Sequence, residues 1–271
     1  MIAALAALPL WFKAALLGVV EGITEFLPVS STGHLILAGH LLGWTDARAE
    51  TFEIFIQLGA ILAILWLYRA RLTDAVVHAT SRAADRRFIL SLIIAFIPAA
   101  AVGFAFHHQI KAVLFTPIVV AVALVVGGIV ILLIERWAPA SRADDPFAVT
   151  PWTALGVGLA QVLALIPGVS RSGATIMGGY SLGLTRRAAT EFSFFLAIPV
   201  MIAATLFDLY TSRGLLTAAD IPIFATGFVV AFVSALIVVR AFLRYVSHRS
   251  FAAFAWYRIV FGLLLLWALR S

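Results

Sequence analysis

The sequence predicts an all-α polytopic membrane protein with about six transmembrane helices and two re-entrant helix pairs, arranged as an inverted-topology repeat. Three observations carry this. The 271 residues are 63% hydrophobic and only 12% charged, with a mean hydropathy of +1.08, well beyond soluble-domain usage. Apolar runs of bilayer length recur along the chain. Two further stretches of about 32 or 33 residues are too long for one span of ~20 and too short for two spans with a connection.

The first such stretch runs from about Leu10 to Leu42 and is interrupted by Pro28 and Gly33. A pair of short helices turning back within the membrane fits it, provided the turn is buried in protein or lines a wet cavity. A single kinked span with a surface helix is the simpler alternative. Three apolar runs follow, at about 52–68, 87–106 and 117–134. The second interrupted stretch, about 152–183, breaks at Pro167-Gly168, and three more runs follow at about 190–210, 221–239 and 253–269. The whole chain, 1–271, therefore reads as one integral membrane domain, with repeat 1 at about 10–137 and repeat 2 at about 152–270. An odd number of spans between the re-entrant segments makes them enter from opposite faces, so that their broken helices can meet near the midplane.

The basic residues agree with this plan. Arg69, Arg71, Arg82, Arg86 and Arg87 lie in one connection, whereas Lys111 is the lone Lys or Arg in the next. The first connection is then cytoplasmic. Arg136 and Arg142, Arg186 and Arg187, and Arg240, Arg244 and Arg249 fall on the same side; Arg213 and Arg270 do not. Both termini are expected outside. The formal charge of +6 is thus a loop pattern and implies no nucleic-acid partner. With no cysteine, thiol catalysis and thiolate metal sites are excluded. Met1 to Leu17 lacks a basic start and runs into the polar motif, so a cleaved signal peptide is not expected.

The chemistry concentrates in the interrupted stretches. Glu21 and Glu25 are four residues apart, which puts both carboxylates on one helix face. In a low-dielectric setting such a pair needs a shared proton, a nearby Arg or a divalent cation. Ionisable groups at membrane depth read by default as functional. Ser30, Ser31 and Thr32 follow Pro28, then Gly33 and His34. The hydroxyls can cap a helix, whose free N–H groups face an anion. Beside carboxylates and an imidazole, Ser31 also reads as a nucleophile with His34 as acid/base. The second stretch echoes the first 140 positions downstream: Gly158, Gln161, Val169, Ser170 and Gly173 match Gly18, Glu21, Val29, Ser30 and Gly33. There Ser170, Arg171, Ser172 and Gly173 make an oxyanion cradle, with Arg171 offering a bidentate fork to phosphate. Elsewhere, Glu53 and Glu191 read as interfacial residues at span starts, and Asp208 as a solvated outer residue. His107 and His108 read as an external loop, and Gly127-Gly128 as helix packing.

Glu-Gly-Ile-Thr-Glu-Phe-Leu-Pro-Val-Ser-Ser-Thr-Gly-His, together with Pro-Gly-Val-Ser-Arg-Ser-Gly-Ala-Thr, resembles the undecaprenyl-diphosphate phosphatase family, also called bacitracin-resistance proteins. The resemblance extends over essentially the whole chain. It implies hydrolysis of a polyprenyl diphosphate lipid, undecaprenyl diphosphate, to the monophosphate and inorganic phosphate, recycling the carrier for peptidoglycan synthesis. It also implies a divalent cation, Mg²⁺ or Ca²⁺, and a place in the bacterial cytoplasmic (inner) membrane with the active site open to the external or periplasmic side. By motif, Glu21 and Glu25 are the acidic, cation-binding pair, Ser30, Ser31, Thr32 and His34 the hydroxyl and imidazole group, and Ser170, Arg171, Ser172 and Gly173 the phosphate clamp. Attack by Ser31 and attack by an activated water both remain open, as does homodimerisation. A transporter or flippase for a phosphate-bearing lipid is the rival, because inverted repeats with broken helices also build transporters.

Overall fold

A computed structural model describes residues 5–141 and 143–269, and it is helical along nearly its whole length. Arg142 and Arg270, both used in the charge argument, lie outside the described residues, as do the first four positions. Two short helices open the chain, α1 (Leu10–Thr24) and α2 (Ser31–Leu42). Helices α3 (Ala47–Val77), α4 (Ala83–Ala105), α5 (His107–Leu114) and α6 (Pro117–Trp137) follow. The pattern returns in α7 (Pro151–Val162), α8 (Arg171–Ser181), α9 (Arg186–Ser212), α10 (Ile221–Val246) and α11 (Ala252–Ala268). Among the described residues five helices are long and apolar enough to cross a membrane: α3, α4, α6, α9 and α10 with the turn before it. The sixth expected span is the shorter, 17-residue α11. This is a multi-pass, all-α membrane protein. His107 and His108 start a helical turn of their own, α5, rather than an irregular loop.

Local chemistry explains the ends. Thr116 and Thr150 cap α6 and α7 by accepting from Val119 N and Thr153 N, each followed by a proline at the first helical position. Helices α2 and α8 stop by the same device, 140 residues apart. Gly43 (φ +61°) and Gly183 (φ +93°) take the left-handed conformation, and the following N–H groups return to Gly39 O at 2.9 Å and Gly179 O at 3.1 Å.

The chain forms two compact units, and each takes segments from both sequence repeats. The first comprises the chain through Phe26, Ser31–Leu67 and Ala197–Ala241. Its core gathers Leu17, Leu35, Phe52, Ile56, Phe224 and Ala231, with Phe52 tilted against Trp44 (4.7 Å) and edge-on to Phe224 (5.4 Å). Here α1 lies directly on α10: a Cβ added at Gly18 or Gly22 would stand 2.6 Å from Gly227 O or 2.5 Å from Ala231 O. Small residues permit this backbone approach, the usual way helices pack without a hydrophobic drive between them. Glu53 is half-buried, and a Cβ at Gly39 would lie 3.3 Å from its carboxylate, so it faces α2 rather than open water. Asp208 is half-buried on α9, with one carboxylate oxygen shielded from solvent, and so is not the fully solvated residue expected.

The second unit comprises Leu27–Ser30, Tyr68–Leu196 and the chain from Phe242 onward. Helix α7 repeats the arrangement on α4, where a Cβ at Gly158 would meet Ala95 O at 2.6 Å, and α11 packs along α6. Phe88, Phe147, Phe195 and Tyr68 form one ring cluster with centroids 4.2–5.5 Å apart. Polar locks surround it. Buried Asp85 pairs with Arg71 and Arg82, so the basic connection is ion-paired as well as positive. Glu191 is buried and accepts from Tyr68 Oη at 3.0 Å, which makes it a packed partner rather than an interfacial residue. Glu135 takes a two-pronged contact from Arg186 and caps Phe251 N at 2.7 Å.

Candidate active site

In the first unit, α1 carries the acid pair. Glu25 is still helical (φ −62°, ψ −43°), and its N–H donates to Glu21 O at 3.0 Å, so the two side chains do lie one turn apart on one face. Glu21 is fully buried and Glu25 nearly so. Ser31, the first residue of α2 and itself buried, donates from Oγ to Glu25 Oε2 at 2.5 Å. A hydroxyl that donates to a carboxylate has a base within reach of its proton. Thr32 and His34 follow on α2, both half-buried.

Carboxylates and hydroxyls are hard oxygen donors, of the kind that hold Mg²⁺ or Ca²⁺. Among the described residues no three or more His, Cys, Asp or Glu are placed together so as to hold a metal ion. The donor set fits a cation that completes its shell with water and phosphate oxygens, as Mg²⁺ commonly does beside one or two carboxylates.

In the second unit, the tip of the first interrupted stretch meets the tip of the second. Ser172 Oγ donates to Leu27 O at 2.8 Å and lies 3.0 Å from Ser170 Oγ. The preceding turn needs Gly168 twice over, for its φ of +92° and because a Cβ would come within 2.5 Å of Val120 O. Two serines, Ser30 (φ +72°) and Ser170 (φ +77°), adopt positive φ at the matched positions of the two tips. Positive φ is costly for a residue with a side chain, by about 1–3 kcal/mol, and such strain clusters at functional sites. At Ser170 the hydroxyl has a use: it accepts from Gly173 N at 3.1 Å and caps α8.

Arg171 then opens α8. Its Nη1 donates to Ser193 O at 3.1 Å, which holds the side chain against α9. Thr175 Oγ1 and Ser193 Oγ lie 2.6 Å apart and tie the same two helices. Gln161, the counterpart of Glu21, is buried and donates to Ala95 O at 3.4 Å.

The structure thus groups Glu21, Glu25 and Ser31 in one unit, and Ser30, Ser170, Arg171, Ser172 and Gly173 in the other. Sequence reasoning missed Ser193, a lone hydroxyl in an aromatic run, and Arg258, a lone cation in the last apolar run. For Arg258 the signal was present, since an ionisable residue at membrane depth is itself a functional pointer.

Such an arrangement defines a class: a multi-pass helical membrane protein with two broken helical stretches, one carrying a buried serine–carboxylate pair and the other an arginine at a helix start. The chain matches the family described as Bacitracin resistance protein BacA over residues 14–264, and it belongs to that family. It is 54% identical over 259 residues to the undecaprenyl-diphosphatase of Aromatoleum aromaticum, covering 96% of this chain and 94% of that one. It is 57% identical over 254 residues to the undecaprenyl-diphosphatase of Nitrosomonas europaea, covering 94% and 93%.

Proposed function

We propose that this protein hydrolyses undecaprenyl diphosphate to undecaprenyl phosphate and inorganic phosphate, in the bacterial cytoplasmic membrane with the reaction open to the external side. The single observation that carries the chemistry is the Ser31 hydroxyl donating to Glu25 in a buried, acidic setting. The lipid identity rests on the names of the relatives.

Ser31 Oγ attacks the terminal phosphorus while its proton passes to Glu25. The bond from that phosphorus to the bridging oxygen breaks, and undecaprenyl phosphate leaves. Glu25 releases that proton to solvent, water attacks the phosphoserine, the P–Oγ bond breaks, and one water proton passes through Glu25 to the leaving Ser31 Oγ as phosphate is released. Arg171 and the N-terminal N–H groups of α8 hold the phosphoryl oxygens, where stabilising developing charge is usually the largest catalytic contribution. Ser170, Ser172 and Gly173 shape that cradle, and Thr32 and His34 follow Ser31 on α2. Glu21 and Glu25 would hold a Mg²⁺ or Ca²⁺ ion, which would screen the charge of the diphosphate.

Purified protein in detergent micelles, given undecaprenyl diphosphate, is expected to yield the monophosphate and free phosphate on chromatography. A lipid left as diphosphate by well-folded protein would instead favour transport, which needs compartments and leaves the bond intact.

A further inference from the structure

We propose that Arg258 is the positioning residue for this reaction, a buried guanidinium that fixes both re-entrant tips from beneath. The inference rests on the reading of the Ser170–Gly173 segment as the phosphate cradle. Arg258 lies mid-way along α11 with 1% of its surface exposed. Its five hydrogen bonds all run to backbone carbonyls. Nη1 donates to Pro28 O at 3.2 Å in the first tip and to Val169 O at 2.9 Å in the second. Nη2 donates to Gly168 O at 2.9 Å and Ala123 O at 3.1 Å, and Nε to Leu124 O at 3.4 Å.

A charge placed so deep is costly, and among the described residues no carboxylate pairs with it, so stability alone is a poor reason to keep it. Its geometry supplies a better one. Val169 O belongs to the peptide whose far side is Ser170 N, so anchoring that carbonyl sets the plane about which the strained Ser170 is turned. A Cβ at Gly173 would lie 3.2 Å from Nη1, which puts the guanidinium directly under the start of α8. Its charge there adds to the positive end of that helix. Only a planar fork can hold carbonyls of three separate segments at once; a lysine has three donors on one atom. The slot is built for it as well: a Cβ at Gly127 would stand 2.1 Å from Nη2 and 2.8 Å from Cζ.

The test compares three variants, purified in detergent and assayed on undecaprenyl diphosphate. In Arg258→Lys, kcat is expected to fall by about 10²-fold while KM stays within about threefold, because the tips are misplaced rather than lost. Gly127→Ala, which displaces the guanidinium without touching either tip, is expected to lower kcat in the same way, by at least about tenfold. Gly262→Ala is the control: its Cβ would meet Ala121 O at 2.7 Å on the same α6–α11 contact. It should lower the melting temperature and leave kcat within about threefold. Wild-type kcat in Arg258→Lys would overturn the proposal, as would equal losses in Gly127→Ala and Gly262→Ala. If Arg258→Lys does not fold, the glycine pair decides alone. Arg171→Ala separates the underlying reading: full turnover there removes the cradle itself, whereas lost turnover there with unaffected Arg258→Lys removes only the role of Arg258.

Discussion

Ser31→Ala removes one oxygen and, with it, the hydrogen bond to Glu25 Oε2. Two roles for that oxygen predict different magnitudes. A hydroxyl that only orients the carboxylate contributes what a hydrogen bond to a charged group contributes, about 1.5–3 kcal/mol. At 1.36 kcal/mol per decade, that is a loss of about 10- to 150-fold in turnover. A hydroxyl that forms the bond to phosphorus cannot be replaced so cheaply, and removing a nucleophile of this kind costs about 10⁴-fold or more. The account predicts the second figure. The assay is initial-rate phosphate release by the purified variant in detergent, beside its circular dichroism and melting temperature, since a buried carboxylate left short of a donor also lowers stability by about 1–3 kcal/mol. A folded Ser31→Ala that keeps more than about one part in 150 of wild-type kcat would refute the covalent route and move the attack to water.

Other predictions follow from individual contacts. Ser170→Gly and Ser170→Ala both lose the α8 cap, but only alanine keeps the strain of φ +77°. The glycine variant should be the more stable of the two by about 1–2 kcal/mol in thermal unfolding, and equal stability would mean that the backbone at this tip is unstrained. Gly22→Ala inserts a methyl 2.5 Å from Ala231 O and 2.6 Å from Ser234 Cβ. It is expected to destabilise by about 1–3 kcal/mol, seen as a lower melting temperature, and an unchanged value would contradict the close α1–α10 approach. Chelation should abolish turnover and Mg²⁺ or Ca²⁺ restore it, with Glu21→Gln raising the cation concentration required; full turnover in chelator would remove the cation from the site.

Much of the architecture was legible because lipid restricts what a chain can do. Backbone groups must be satisfied within the segment, so Pro28 and Pro167-Gly168 in the two overlong apolar stretches pointed to broken helices, and the helices do stop there, whereas Pro98 and Pro199 sit inside α4 and α9. Helix ends were less legible. Hydropathy fades at Arg69, yet α3 continues to Val77, because a helix outlasts its apolar face once its side chains reach ion-pair partners such as Asp85. The acid pair and Arg171 stood out as charges in an apolar context. Contacts that cross the sequence did not: the cap of Glu135 on Phe251 N spans 116 positions, and no local pattern announces it. The echo at 140 positions was readable in the motif, but the matching positive φ values and the twin glycine stops at Gly43 and Gly183 emerge only from backbone angles.

The central claim is that the acid pair of the first re-entrant stretch and the guanidinium of the second serve one hydrolytic reaction. The most direct measurement is phosphate release from undecaprenyl diphosphate by purified protein in detergent, with and without Mg²⁺ or Ca²⁺, beside Glu21→Ala and Arg171→Ala. The account predicts cation-dependent turnover that is lost in both variants while each remains folded. Wild-type turnover in either variant, or none from the folded parent chain, would contradict it.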